Sequence, residues 1–187
     1  LSNSTLVLTR GAGRKVWDAD GREYLDLTGG IAVTELGHAH PALVDVLREQ
    51  AATLLHCSNV FGHEWQARYA AELNGLIAPG KLFFANSGAE AVEAAIKVAR
   101  RRGAAQGRHE IIATTHSFHG RTLAGIAATG QEKVRRGFGP VVPGFSHVPF
   151  NNLAAVEAAI TERTAAVLIE GIQGEGGVHV ATSDYLL

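Results

Sequence analysis

From residue 82 to the C-terminus, short apolar runs alternate with segments whose apolar residues recur at helical spacing, and that order admits few folds. Strand and helix in repeated alternation call for an α/β architecture, a mostly parallel sheet flanked by helices. The first unit of the series, residues 81–102 (KLFFANSGAEAVEAAIKVARRR), sets the pattern. Its run 82–85 reads as a strand, Asn86-Ser87-Gly88 as a tight turn and 89–102 as a helix. Such a turn brings backbone N–H groups and a hydroxyl to the positive end of a helix dipole, where a phosphate binds. Ser87 has a second reading on the residues alone, because serine in this position also caps the helix.

The next strand, 110–115, again delivers the chain to a polar and aromatic cluster, His116-Ser117-Phe118-His119-Gly120-Arg121. Open α/β sheets bind ligands at the carboxyl ends of their strands, and two successive strands here end in such turns. Small residues 123–128 follow, closed by Thr129-Gly130, then a basic run 133–136 that reads as a solvated face. Beyond a Pro/Gly-rich loop, 137–145, come a strand near 146–149 and a helix 153–160 capped by Asn152. A buried strand, 165–169, then ends at Glu170-Gly171-Ile172-Gln173-Gly174-Glu175-Gly176-Gly177.

The N-terminal part has a different pattern. Residues 15–17 and 22–27 read as a hairpin about the turn 18–21, and Gly29-Gly30 permits positive φ. Pro41 sits at the first turn of a helix running to about residue 55, and a second helix over 65–76 ends at Ala78-Pro79-Gly80. The expected division is residues 1–40 as an N-terminal arm and part of a small domain, with 41–187 as part of a large domain.

Composition excludes several classes. A net charge of -1 gives no nucleic-acid or membrane surface, and no apolar run approaches the ~18 residues that span a bilayer. Residues 1–16 lack the basic and apolar regions of a secretory signal. Cys57 is the single cysteine, which rules out an internal disulfide and fits a reducing, cytoplasmic setting. His38-x-His40 has no third ligand at regular spacing, so no metal is expected and the pair reads as polar groups at a helix start. There is no methionine, so the chain is expected to be an N-terminal fragment of something longer.

Three motifs occur in order: Asn86-Ser87-Gly88-Ala89-Glu90-Ala91, Phe118-His119-Gly120-Arg121-Thr122 and Glu170-x-Ile172-Gln173-Gly174-Glu175. The N-terminal pieces agree with them: Val16-Trp17-Asp18-x-x-Gly21-Arg22, Gly30-Ile31-Ala32-Val33 and Leu36-Gly37-His38-x-His40-Pro41. Together they resemble the class III pyridoxal-phosphate aminotransferases, and within them the acetylornithine aminotransferases. The resemblance covers nearly the whole chain. It implies the large domain of a PLP-dependent transferase-like fold (fold type I), incomplete here and carrying an N-terminal lobe. It also implies a homodimer, pyridoxal 5'-phosphate as cofactor, and transfer of an amino group from N-acetylornithine to 2-oxoglutarate.

Position by position, the resemblance implies that Ser87, Gly88 and Ala89 hold the cofactor phosphate and that Phe118 stacks on its pyridine ring. His119 and Gly120 complete that wall, with Gly120 keeping the approach open. Arg121 would bind the α-carboxylate of the amino acid, for which a planar two-pronged donor is suited. Glu175 would gate a second arginine beyond residue 187, and Glu170 matches another acidic position near the site. Gly171 stands where the family usually has Pro, which loosens the backbone before Glu175. A transaminase also needs a Schiff-base lysine and a carboxylate at the pyridine nitrogen. None of Lys15, Lys81, Lys97 and Lys133 sits in the family's lysine context, so no catalytic residue is expected in these 187 residues, and the fragment alone is expected to be inactive. Other expectations are a related class III transaminase acting on ornithine, 4-aminobutyrate or an acylated lysine-pathway intermediate, or a non-catalytic cofactor-binding or assembly domain. A nucleotide-binding Rossmann module would need G-x-G-x-x-G after a strand, which residues 85–90 do not supply.

Overall fold

A computed structural model describes residues 6–186 and divides into two compact units between Pro79 and Gly80. The first holds a three-stranded antiparallel meander, β1 (Leu8–Ala12), β2 (Lys15–Asp18) and β3 (Glu23–Leu25), paired in that order. The expected hairpin is β2–β3; β1 is an additional strand. Asp18 organises the turn, its Oδ1 accepting from the N–H of Asp20 and Arg22 at 3.0 and 2.8 Å and its Oδ2 from the Tyr24 hydroxyl at 2.7 Å. The Tyr24 bond holds the Asp18 carboxyl below its usual range.

A short coil, α1 (Gly29–Ala32), follows, in which Gly29 and Gly30 have φ of 52° and 65°, the left-handed region that glycine enters without a Cβ penalty. His38 Nε2 lies 2.7 Å from Asp26 Oδ2, tying the segment before the next helix back to the end of the meander. Helices α2 (Pro41–Thr53), with proline in its first turn, and α3 (Glu64–Leu76) complete the unit. Both helices therefore belong to the first unit.

The second unit is built on a parallel sheet of order β5-β4-β6. Strand β4 (Glu110–Thr114) is central, flanked by β5 (Phe145–Val148) and β6 (Thr164–Val167), with Ile111 opposite Phe145 on one side and Ala166 on the other. Successive side chains of a strand point to opposite faces, and both faces here are covered. Ile111 packs with Ile96 of α4 (Gly88–Gly103) and Ala124 of α5 (Leu123–Ala128). Its neighbour Ile112 packs with Val148, Val156 of α7 (Leu153–Ala159) and Tyr185 of α8 (Ser183–Leu186). Each of these two isoleucines is 1% exposed, and each burial contributes about 1.5–3 kcal/mol. The unit also holds a 3-10 turn (Ala104–Gln106), a short helix, α6 (Glu132–Arg135), and an antiparallel pair, β7 (Ile172–Gln173) with β8 (His179–Val180).

The strand expected over residues 82–85 does not form: the segment joins no ladder among the described residues, and Phe83 is 73% exposed. An apolar run becomes a strand only beside a partner, and none of the three parallel strands takes that place. Residues 123–128, left without an element by their small side chains, form helix α5, capped by Thr122 Oγ1 accepting from Gly125 N–H at 3.1 Å. No helix among the described residues is long and apolar enough to cross a membrane. Leu187, in the expected C-terminal helix, lies outside the described residues.

Candidate active site

The loops that matter leave the carboxyl ends of β4 and β6; the β6 loop is bonded to the β4 loop, which in turn meets the N-terminus of α4. Helix α4 has its apolar residues on one face, Glu90 in its first turn and Arg100, Arg101 and Arg102 in its last, all consistent with the macrodipole. Ser87 does cap it: Oγ accepts from Glu90 N–H at 3.2 Å. The Glu90 carboxylate reaches back to Asn86, taking its backbone N–H at 2.7 Å and its side-chain amide at 3.0 Å. The backbone N–H groups of Gly88 and Ala89 have no acceptor among the described residues, and a Cβ on Gly88 would meet nothing within 4 Å. The two readings of Ser87 are therefore compatible. A hydroxyl has two acceptor lone pairs and one proton, and capping consumes only a lone pair.

Every N–H from Thr115 to His119 has a partner. Thr115 and His116 donate to the carbonyls of Val148 and Gly130, and Ser117 to Thr114 O. Phe118 N–H donates to Glu170 Oε2 at 3.1 Å, and His119 N–H to Thr129 Oγ1 at 3.0 Å. His116 adopts φ of 64°, a conformation non-glycine residues seldom hold unless their surroundings impose it. Gly120 has φ of 108°, and a Cβ there would lie 3.5 Å from Ala89 Cβ, so this loop packs against the start of α4. The Arg121 guanidinium carbon lies 5.7 Å from the Phe118 ring centroid. Arg121 is exposed and makes no ion pair among the described residues.

The β6 end is fastened to the β4 end at two points. Besides Glu170, Gln173 is fully buried and donates from Nε2 to Thr114 Oγ1 at 3.0 Å and to Thr115 O at 2.9 Å. The carbonyl of Thr115 fixes the orientation of that amide and leaves Gln173 Oε1 without a donor. Glu175 lies in the β7–β8 turn, exposed and without a hydrogen bond or ion pair among the described residues.

Burial raises the Glu170 carboxyl above its usual range, and the Phe118 N–H opposes that in part. His119 is pushed down to about 4, chiefly by burial and then by the neighbouring His147; its Nε2 has no partner. His147 is lowered by burial as well, against the pull of the Ala128 carbonyl 3.0 Å from its Nε2.

The structure thus brings Ala89, Gly120, Phe118 and Arg121 to one end of the sheet, with Glu170 behind Phe118. His119 is 6% exposed and turns into the protein, so of this residue only the backbone belongs to the loop's surface. Ser117, a member of the cluster read in the sequence, supports the loop together with Thr114, Thr129 and Gly130, to which the sequence assigned no role. Ser117 Oγ donates to Thr114 O at 2.6 Å and accepts from Gly130 N–H at 3.0 Å. The sequence signal for the last two is the polar Thr129-Gly130 closing a run of small residues.

The family model described as "Aminotransferase class-III" matches residues 2–187. An acetylornithine aminotransferase from Caldanaerobacter subterraneus is 48% identical over 184 residues, covering 97% of this chain and 47% of that protein. A Pseudomonas aeruginosa protein named succinylornithine transaminase/acetylornithine aminotransferase is 51% identical, covering 98% of this chain and 46% of the other. Among solved structures, the ornithine aminotransferase from Toxoplasma gondii, described with partial occupancy of PLP at its active site, superposes with a TM-score of 0.90. It is 30% identical and is covered over 46% of its length by 100% of this chain. The chain spans about half the length of the curated relatives it matches.

Proposed function

The chain belongs to the class-III aminotransferase family, and on that premise we propose that the intact protein moves an amino group from N-acetylornithine to 2-oxoglutarate with pyridoxal 5'-phosphate. The fold is the parallel-sheet architecture of the PLP-dependent transferases, present here in part. The observation that carries the reading is the convergence of two unfilled features: free N–H groups at the start of α4, and a glycine loop packed against them that presents Phe118 and Arg121.

These residues fit the cofactor. The open space over Gly88, the donors of Gly88 and Ala89 and the spare hydroxyl proton of Ser87 suit a phosphate. Phe118, half-buried with its backbone held, offers a ring face for a pyridine. When bound, pyridoxal phosphate supplies an electron sink that lets an amino acid lose its α-proton. Gly120 keeps the ring's approach clear, because a side chain there would enter the space beside Ala89. Arg121 holds the amino acid's α-carboxylate, pairing its planar fork with two oxygens. His119 contributes its backbone and packs its neutral imidazole beneath the loop.

Glu175 serves as the gate for a second arginine that accommodates the dicarboxylate acceptor. We place that arginine, the reactive lysine and the carboxylate for the pyridine nitrogen in the part of the intact protein outside these 187 residues, so the fragment alone is inactive. We also assign the intact protein to arginine biosynthesis in the cytoplasm as a homodimer, with residues 1–40 in an arm and small domain and 41–187 in the large domain. The names of the relatives support acetylornithine as donor, while the double name of the Pseudomonas aeruginosa protein favours succinylornithine as a second.

Donor profiling of the full-length protein with 2-oxoglutarate tests this. N-Acetylornithine should be used at least tenfold more efficiently than ornithine or 4-aminobutyrate. Preference for 4-aminobutyrate, or no pyridoxal-phosphate-dependent transfer at all, overturns it.

A further inference from the structure

We propose that Glu170 is a positioning residue for the ring-stacking loop, its carboxylate fixing the backbone of Phe118 and, through it, the setting of Arg121. The inference rests on the functional reading above.

The contact joins residues 52 apart in sequence, at 3.1 Å. Of the N–H groups between Thr115 and His119, the one on Phe118 is given to a side-chain carboxylate; the others go to carbonyls or to Thr129. A Cβ on Gly171 would meet nothing within 4 Å, so the chain just after Glu170 is held by its backbone, the Gly171 carbonyl accepting from Ala181 N–H at 2.9 Å, rather than by side-chain packing. Gln173 anchors Thr114 and Thr115, upstream of the aromatic residue, which leaves Glu170 to set Phe118 itself.

The choice of a carboxylate is informative. Glu170 is half-buried and makes no ion pair among the described residues, a setting in which a charge costs stability. A glutamine would satisfy the same N–H without that cost. A bond to a charged acceptor is about twice as strong as one to a neutral acceptor, so the carboxylate gains rigidity at the loop in exchange for stability. Because Arg121 lies over the Phe118 ring, a shift of Phe118 also displaces the group that would receive the substrate carboxylate.

The test uses the full-length protein as wild type, Glu170→Gln and Glu170→Ala. Three quantities are read: hydrogen exchange of the Phe118 amide in the apo-protein, the pyridoxal phosphate Kd by absorbance titration, and KM for the amino donor against kcat. Glu170→Ala should speed Phe118 exchange about tenfold or more and raise both the Kd and the donor KM about tenfold, the loss expected for one hydrogen bond to a charged group. Glu170→Gln should keep exchange and Kd within about threefold of wild type, with a melting temperature no lower. Should Glu170→Ala be insoluble, Glu170→Asp takes its place, its shorter side chain being unable to span the bond. Unchanged exchange and Kd in Glu170→Ala, or a Glu170→Gln variant as impaired as the alanine one, overturns the inference. Failure of the wild-type protein to bind pyridoxal phosphate overturns the functional reading instead, and the exchange comparison still decides whether Glu170 holds Phe118.

Discussion

Replacing Gln173 with glutamate changes one NH2 group into an oxygen and leaves the side-chain shape intact. In the native protein this residue is fully buried and donates to two acceptors, Thr114 Oγ1 at 3.0 Å and Thr115 O at 2.9 Å. A carboxylate has nothing to donate. The Thr114 hydroxyl can rotate and donate to it, but the Thr115 carbonyl would face a like-charged oxygen at hydrogen-bond distance. Burying the ion in that state costs several kcal/mol. The cheaper route is to take up a proton, which restores a donor towards Thr115. For a glutamate of ordinary pKa near 4.3, protonation costs about 3.7 kcal/mol at pH 7 and about 1 kcal/mol at pH 5. The sign follows from linkage: a carboxyl whose folded pKa is raised retains its full stability below about pH 4.3 and loses it, about 1.4 kcal/mol per unit, as pH rises towards the folded pKa. Gln173→Glu should therefore be nearly native in stability at pH 5 and lose about 3–4 kcal/mol at pH 7. Urea unfolding followed by circular dichroism at the two pH values measures this; Trp17 and Trp65 both lie in the other unit, so tryptophan fluorescence would miss it. A loss under about 1 kcal/mol at pH 7, or one that does not change with pH, would refute the buried two-point anchor.

At Ser87, alanine removes the cap of α4 and should cost about 1 kcal/mol in denaturant unfolding. Aspartate keeps the cap but sets a negative charge against the phosphate. Ser87→Asp should fold normally and weaken pyridoxal phosphate binding at least tenfold, and native affinity would count against the cradle. Gly130→Ala drives a Cβ into the Thr114 carbonyl, inside the sheet's central strand; a loss of at least about 3 kcal/mol, or insoluble expression, is expected. A native melting curve would show that the backbone there is softer than described. His119, neutral in the fold with its pKa at about 4 against an ordinary 6.5, contributes stability above that ordinary value and withdraws it as pH falls through 4. His119→Gln should flatten the acid side of the stability curve across that window, with a residual slope from His147, which burial shifts the same way. An unaltered curve would place the acid sensitivity elsewhere.

Local signals were legible where one residue type settles a local conformation. Ser87, Asn152 and Pro41 mark helix starts, and all three helices begin there. The strand at Glu110–Thr114 was legible because a run buried on both faces is continuously apolar. The run at 82–85 is also continuously apolar and forms no strand, because pairing depends on a neighbour that composition does not encode. Leu8–Ala12 escaped notice for the converse reason: it carries little apolar alternation and owes its conformation to β2. The site divides similarly. Ser87, Gly88, Phe118, Gly120 and Arg121 stand in short motifs whose spacing is local. The fastening of Glu170 and Gln173 onto residues 52 and 59 positions away is a product of the sheet, and no window of sequence contains both partners.

The strand order β5-β4-β6 has a consequence in time. The central strand leaves the ribosome first, and its second neighbour is complete only about fifty residues later, roughly 3–10 s of synthesis at 5–20 residues per second. Until β5 is complete Ile111 and Ile112, the largest fully buried side chains of the sheet, have no sheet around them, and until β6 is complete they have it on one side. Helix α4, already synthesised and capped through its own Ser87, is the one long amphipathic surface in this unit able to cover either of them meanwhile. A nascent chain stalled just after Thr114 should therefore recruit holdase chaperones more strongly than one stalled past Val167.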